Sequence, residues 1–394
     1  VPDATRPAAE GRVRLTARGW LVLAGGVALL AVGAVFGYRE LVILGGVACA
    51  LVLLAVVLVG RIRPMTVWRT VAVSRVRPGD EVEVELGTTE EGRGRGAHLL
   101  ADRVREPSGS RLVELPARRP GDTSPLSYRF PAERRGVADL GPLESRRRDP
   151  LGLAATRRGS GAVDRVWIHP RWEPLRALPV GRSGDVQGVF DGGAAGSVSF
   201  HALREYVPGD DVRHIHWRSS ARHDRLMVRE HVDTSHTRLT VVADDRAGAS
   251  GDDLAALDEV ASAAASVVAT AVQGRWACEL RLISGRGRES TDGGLTPLLD
   301  LLAEAEPTEG ASLPDELWRL RNRPFGDTLV LVSASITGAE ARLFARLADR
   351  YSRLVLVALR RYGAPVGTVP GITVVDAGDA TELAARWNTE RWSA

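Results

Sequence analysis

Two apolar runs near the start constrain this chain more than anything else in it. Gly19 to Tyr38 and Leu41 to Gly60 hold no charged residue and consist mostly of Leu, Val, Ala and Gly. Roughly 20 apolar residues in helical form span the hydrocarbon core of a bilayer. Only Arg39 and Glu40 separate the runs, so the pattern predicts a tight transmembrane hairpin over 19–60. A cleaved signal peptide is the competing reading of the first run. That run is long for a signal, lacks a clear small-residue cleavage site and is followed at once by a second span. Gly25, Gly26, Gly33, Gly45 and Gly46 are expected to let the two backbones approach closely. Arg6, Arg12, Arg14 and Arg18 precede the first run, and Arg61, Arg63 and Arg69 follow the second. Positive charge stays inside. The expected placement is therefore a two-pass protein of the cell (inner) membrane with both termini cytoplasmic.

The 394 residues leave room for two or three further cores. The 52 basic residues are all arginine and are nearly balanced by 49 acidic ones, for a net charge of +3. That balance argues against a general nucleic-acid binder. Cys49 and Cys278 stand far apart in apolar surroundings. They form neither a disulfide framework nor a CxxC zinc signature, and such usage fits a reducing compartment.

After the basic N-terminus (1–18) and the hairpin (19–38, 41–60), period-two alternation begins, as in Glu81-Val82-Glu83-Val84-Glu85-Leu86. Further strands are predicted at His98–Arg105, Arg111–Leu115, Leu126–Phe130, Gly136–Arg147 and Val163–His169. Short strands separated by turn signals predict a small β-sandwich over 65–170. The arginine clusters 146–148 and 157–158 read either as solvated strand ends or as a basic face near anionic lipid. Residues 171–199 read as a linker.

The stretch 200–236 is unlike the rest. It holds His201, His214, His216, His223, His231 and His236, a Pro208-Gly209 turn, the pair Asp210-Asp211, and arginines from Arg213 to Arg229. The turn should present the two aspartates, either of which could cap a following helical turn. Leu226 to Val232 alternates as a strand does. Three readings are open: a polar network that docks a neighbouring surface, a metal site drawn from the histidines and aspartates, or a phosphate site built from arginines. No HExxH or comparable ligand spacing is present.

The run Tyr206, Pro208-Gly209-Asp210-Asp211, Arg213, Ile215, His216-Trp217-Arg218, Ser220-Ala221-Arg222 and Leu226 to Glu230 resembles the signature of bacterial domain-of-unknown-function family 58. The resemblance implies a membrane protein associated with a MoxR-type AAA+ ATPase. It puts weight on Tyr206, Gly209, Asp210, Asp211, Arg213, His216, Trp217, Arg218, Ala221, Arg222, Arg229 and Glu230 as signature or partner-binding residues.

From 237 to 394 apolar strands alternate with helices. Strands are predicted at Arg238–Ala243, Cys278–Ile283, Thr328–Val332, Leu354–Leu359 and Ile372–Val375. Helices are predicted at Asp252–Gln273, Thr296–Ala305, Leu313–Arg321, Gly338–Arg350 and Thr381–Trp392. This pattern predicts a parallel sheet covered on both faces, with ligands at the carboxyl ends of the strands. The segment is similar to the von Willebrand factor A-like (Rossmann-type) fold that follows the signature in the family. Members with an intact adhesion site bind magnesium through an Asp-x-Ser-x-Ser loop after the first strand. Here that loop reads Asp244-Asp245-Arg246-Ala247-Gly248-Ala249-Ser250, and Ser333-Ala334-Ser335 stands where an aspartate is expected. Magnesium wants oxygen ligands in near-octahedral geometry, so the expectation is a degenerate site, with Asp244 and Asp245 as weak candidates and no resident cofactor.

Neither GxxxxGK[ST] nor a GxSxG elbow occurs, and a lysine-free chain cannot complete the first. The expected class is a multidomain, membrane-anchored interaction or adaptor protein that partners a MoxR-type AAA+ ATPase. The alternative is a metal-dependent hydrolase using His214, His216 and Asp210 or Asp211.

Overall fold

The structure is a computed structural model. It describes residues 12–60, 66–89, 99–116, 124–160, 162–179, 199–206, 217–223, 225–232, 238–248, 253–290, 294–363, 365–390 and 392. The chain divides into two compact units, Val1–Arg171 with Leu302–Glu304, and Trp172–Leu301 with Ala305–Ala394.

The first unit begins with a short strand, β1 (Arg12–Leu15), that leads into α1 (Ala17–Phe36) and α2 (Arg39–Gly60). Thr16 caps α1: its hydroxyl oxygen accepts the Gly19 N–H at 3.1 Å. Gly37, at φ +73°, ends α1 in the left-handed region that glycine adopts without a Cβ penalty. The chain therefore turns at Gly37-Tyr38, and Arg39 and Glu40 open α2 instead of forming the turn.

Three glycines bring the helices together. A Cβ on Gly45 would lie 2.6 Å from the Gly26 carbonyl oxygen, and one on Gly33 would lie 2.9 Å from the Val42 nitrogen. Gly25 and Gly46, also expected at the contact, meet nothing within 4 Å and face away. Both helices are long and apolar enough to cross a membrane, with only 17% and 22% of their apolar windows buried. Leu21, Val35 and Leu53 are more than half exposed. Helices apolar all round belong in an apolar solvent.

The rest of this unit is β2 (Thr66–Val71), β3 (Arg75–Val76), β4 (Glu81–Thr89), β5 (Leu99–Glu106), β6 (Gly109–Glu114), β7 (Leu126–Pro131), β8 (Gly136–Leu140), β9 (Leu143–Arg148), β10 (Ala154–Ser160) and β11 (Asp164–Ile168). Among the described residues one sheet runs β1-β10-β9-β5-β8-β11-β3, with β6 on β5, and a second runs β2-β4-β7. Val82, Val84 and Leu86 of β4 and Phe130 of β7 share one core with Leu100, Val104, Leu140, Val166 and Ile168. The alternation of 81–86 is thus real: the valines and the leucine face inward and Glu81 and Glu83 outward. A buried pair crosses this core's edge, where Arg69 binds Asp102 at 2.7 Å and the Tyr128 hydroxyl donates to Asp102 at 2.7 Å. Gly136–Arg147, expected as one strand, is two. Gly141 sits at φ +110° and Pro142 has no N–H, so the ladder stops between them.

The second unit holds β12 (Ser199–Glu205), α3 (Trp217–His223), β13 (Met227–Val232), β14 (Arg238–Ala243), α4 (Asp253–Gln273), β15 (Ala277–Leu282), β16 (Gly287–Glu289), α5 (Thr296–Ala303), α6 (Leu313–Asn322), β17 (Thr328–Ser333), α7 (Gly338–Ala345), β18 (Arg353–Leu359), β19 (Thr373–Ala377) and α8 (Ala380–Trp387). β12 and β13 form an antiparallel pair. The others form a sheet in the order β16-β15-β14-β17-β18-β19. Five of its strands are parallel, and the edge strand β16, which the sequence reading did not foresee, is antiparallel. Every residue of β17 is buried, as a strand covered on both faces must be.

α4 is also long and apolar enough to cross a membrane, but 67% of its apolar window is buried within this unit. Its alanines Ala261, Ala263, Ala264 and Ala265 are fully enclosed. α7 is shorter than expected and continues as a 3-10 turn, Arg346–Asp349. Residues 172–179 run as a strap over α4 and α8. The Glu173 and Leu175 N–H groups donate to Ser266 Oγ and Thr270 Oγ1, and the Trp387 indole donates to the Ala177 carbonyl at 2.7 Å.

Candidate functional site

The central pair β14 and β17 lies where strand order reverses. β15 and β16 build outward on one side, β18 and β19 on the other. In doubly wound sheets the crevice beyond the carboxyl ends at such a switch point is where ligands bind. Asp244, Asp245 and Arg246 follow β14 there, and Ser333 closes β17.

Asp244 is 5% exposed and Asp245 fully buried. The Asp244 N–H donates to the Val332 carbonyl at 2.9 Å, which continues the β14–β17 pairing one residue past the strand. Its carboxylate is saturated. Arg246 Nε donates to Oδ1 at 2.8 Å and the guanidinium NH2 to Oδ2 at 2.7 Å. Ser333 Oγ donates to Oδ2 at 2.6 Å, and the Arg246 backbone N–H donates to Oδ1 at 3.2 Å. The remaining guanidinium arm reaches Glu340 in the first turn of α7.

Glu340 is itself fixed by a capping box with Thr337. The Thr337 N–H donates to Glu340 Oε2 at 2.8 Å, and Glu340 N–H donates back to Thr337 Oγ1 at 3.3 Å. Burial alone would raise the Glu340 pKa, but the Thr337 N–H and the Arg246 charge outweigh it and hold the carboxyl below its usual range. Arg246 is pushed further up, chiefly by its hydrogen bonds to Asp244, against the opposing effect of burial.

Asp245 points the other way. Its Oδ1 accepts the Ser284 N–H at 2.9 Å, and its backbone carbonyl accepts the Thr308 N–H at 2.7 Å. Asp245 Oδ2 and Ser284 Oγ are both buried with no hydrogen-bond partner among the described residues.

The Asp244 carboxylate is not open to a divalent cation. Both Asp244 oxygens already face a guanidinium within 2.8 Å, and a metal would have to displace that charge. Arg246 supplies the positive charge from within the loop. Sequence reasoning singled out Asp244 and Asp245 but missed Ser333 as the partner of Asp244 and Glu340 as the second partner of Arg246. The signal was present: Thr337-Gly338-Ala339-Glu340 has capping-box spacing and places Glu340 in a helical first turn.

The signature residues divide by what the structure describes. Gly209, Asp210, Asp211, Arg213, His214 and His216 lie outside the described residues. Tyr206 follows β12, half-buried, and its N–H donates to the Leu226 carbonyl at 2.8 Å. Trp217, Arg218, Ala221 and Arg222 share the single short helix α3. Trp217 is 68% exposed, and Ala221 and Arg222 are exposed with it. Ser220, buried beneath, accepts the Met227 N–H at 2.8 Å and ties the helix to β13. Arg229 and Glu230 lie in β13 opposite Leu203 and Ala202. No group of three or more His, Cys, Asp or Glu that could hold a metal occurs among the described residues.

Residues 202–354 match a family described as "Protein of unknown function DUF58". No curated protein matches the chain. Among solved structures, similarity is found to the Pseudomonas fluorescens alkylpurine DNA glycosylase AlkC bound to DNA containing an abasic site analogue. The identity is 8%, over 33% of this chain and 39% of that one, with a TM-score of 0.21. A second is Spo0M, a sporulation control protein from Bacillus subtilis, at 14% identity over 27% of this chain and 50% of that one, with a TM-score of 0.15. The chain spans half or less of each, and likeness at these scores carries no argument about fold or activity.

Proposed function

Through residues 202–354 the chain belongs to the DUF58 family, and from that premise we propose that it is a membrane-anchored interaction protein. α1 and α2 form the two-pass anchor in the cell membrane, and the arginines flanking them orient both ends to the cytoplasm. The β strands of the first unit are read as a small β-sandwich. That unit is read as a von Willebrand factor A-like domain. Support comes from its doubly wound strand order and from the acidic loop after its first sheet strand. In this reading Arg246 stands where metal-binding relatives would carry a cation.

The observation that carries the interaction reading is the surface of α3. Trp217 is 68% exposed and Arg222 is exposed on the same helix, within the matched stretch, and a buried serine pins that helix. Tryptophan and arginine are the side chains that most often anchor protein interfaces. The partner implied by the sequence resemblance is a MoxR-type AAA+ ATPase. ATP hydrolysis then belongs to the partner, and this chain is the adaptor.

The test is a crosslinking pull-down from native membranes, with and without ATP. Wild type is compared with a Trp217→Ala/Arg222→Glu variant and with Trp318→Ala, a tryptophan on α6 that is also 68% exposed. The expected result is an AAA+ ATPase recovered with wild type and Trp318→Ala and lost with the α3 variant. Absence of any ATPase from every lane overturns the adaptor reading, and metal analysis of the purified chain then addresses the hydrolase built on His214, His216, Asp210 and Asp211.

A further inference from the structure

Arg146, Arg148 and Arg157 acquire a definite direction from the strand register. In the β1–β10–β9 corner, Arg14 lies opposite Ala155, Ala155 opposite Arg148, and Arg157 opposite Arg146. Directly paired residues, and residues two apart on a strand, share a face. One face of the corner therefore carries Arg14, Arg146, Arg148 and Arg157. The other carries Val13, Leu15 and Ala154, which pack in one cluster with Val22 and Leu23 of α1 and Val52, Ala55 and Val59 of α2.

This second face fixes the depth of the corner. Val52 stands eight residues before the end of α2 at Gly60, about 12 Å along the helix axis. The corner is thus packed against the flank of the hairpin's open end, not set beyond it. The attachment is close. Thr16 donates from its N–H and its hydroxyl to the carbonyls of Leu153 and Gly152, at 2.9 and 2.6 Å. A Cβ on Gly19 would lie 2.0 Å from the Leu153 oxygen. The headgroup layer is only about 5–7 Å thick in each leaflet, so a body lying along the last turns of a spanning helix passes through it. The turn 149–152 adds Leu151, 57% exposed, beside the first turn of α1.

We propose that the arginine face of β1–β10–β9 is a contact surface for anionic lipid headgroups of the leaflet holding the open end of the hairpin. This rests on the reading that α1 and α2 cross the membrane. The apolar face is spent on the hairpin, so the arginines point sideways into the headgroup layer. Arg14 and Arg148 are exposed. Arg146 and Arg157 converge with Arg103 on one buried carboxylate, Glu144, which leaves the face with excess positive charge. Phosphodiester oxygens match the guanidinium fork.

The experiment uses the full chain reconstituted in vesicles of phosphatidylcholine mixed with phosphatidylglycerol, then extracted in mild detergent. The phosphatidylglycerol that stays bound is counted by native mass spectrometry. Wild type should retain it. Arg14→Gln/Arg148→Gln should reduce retention, on the order of fivefold for each arginine removed, and Arg14→Lys/Arg148→Lys should restore most of it. Arg129→Gln/Arg165→Gln, which removes two exposed arginines elsewhere in the same unit, should leave retention unchanged. Equal retention by the two Gln variants overturns the headgroup contact. Alkaline carbonate separates the two ideas. A wild-type chain that washes off the vesicles overturns the anchor itself. A chain that resists washing while retention ignores Arg14 and Arg148 overturns only the lipid face.

Discussion

The guanidinium of Arg246 meets both oxygens of Asp244, two residues earlier in the same loop, at 2.8 and 2.7 Å. The pair is mostly shielded from water, with side-chain exposures of 17% and 2%. A carboxylate enclosed to that degree depends on its partner, because an unpaired buried charge is costly.

Replacing Arg246 by Ala should therefore destabilise the protein by about 3 kcal/mol, the low end for breaking a buried pair, read from denaturant unfolding of the full chain. The same variant should gain affinity for magnesium, since Asp244 and Glu340 are then left facing one gap. Titration calorimetry checks both sides of this. Tight magnesium binding by wild type that is lost in Asp244→Ala would contradict the assignment of Arg246 as the internal cation.

Glu144 predicts an acid sensitivity. Burial alone would raise its pKa, but hydrogen bonds from Arg157, Arg103 and Arg146 prevail and bring it from 4.5 to about 2. A carboxyl depressed on folding stabilises the native state above its unfolded pKa, and the contribution fades as pH falls through the folded one. Stability should thus decline between about pH 4.5 and pH 2. The arginine partners are 36–57% exposed, so solvent screening reduces the effect to about 1–2 kcal/mol. Thermal unfolding at pH 5 and pH 3 should show a smaller difference in Glu144→Gln than in wild type.

The hairpin makes a paired prediction. Gly45→Val places a side chain against the Gly26 carbonyl, whereas Gly46→Val points into open surroundings. The first should cost about 1–3 kcal/mol by overpacking and the second almost nothing. Thermal stability in detergent distinguishes them, and equal effects would mean that the helices do not meet along Gly26, Gly33 and Gly45.

Thr16 combines a helix cap with a tie to the turn 149–152. Thr16→Val, similar in shape, should lose about 1–2 kcal/mol, while Thr16→Ser keeps the hydroxyl and most of the stability. Chemical denaturation of the two variants tests this directly.

The apolar runs, the alternation at 81–86 and the buried strands β14, β17 and β18 were legible because each follows from a simple periodicity. β10 was not. Its sequence, Ala154 to Ser160, includes Arg157 and Arg158 and resembles a solvated turn until β1 and β9 pair with its two edges. The glycine faces were half legible, since composition gives five candidates but only the helix rotation selects Gly26, Gly33 and Gly45. At the switch point, the two aspartates could be read from their place after a strand. Ser333 and Glu340 come from elements 89 and 94 positions or more away in sequence, and only the fold brings them to the carboxyl end of β14.

The bond from Thr16 to Gly152 spans 136 positions of sequence. During synthesis the ribosome adds about 5–20 residues each second, so β1 waits on the order of ten seconds for the strand that completes it. Throughout that interval the hairpin can already be seated while Val13 and Leu15 have no sheet to join. β1 is made well before the strand it must pair with, and any chain that stalls before Leu153 carries an anchor with an unfinished seam, open to whatever watches for incomplete products.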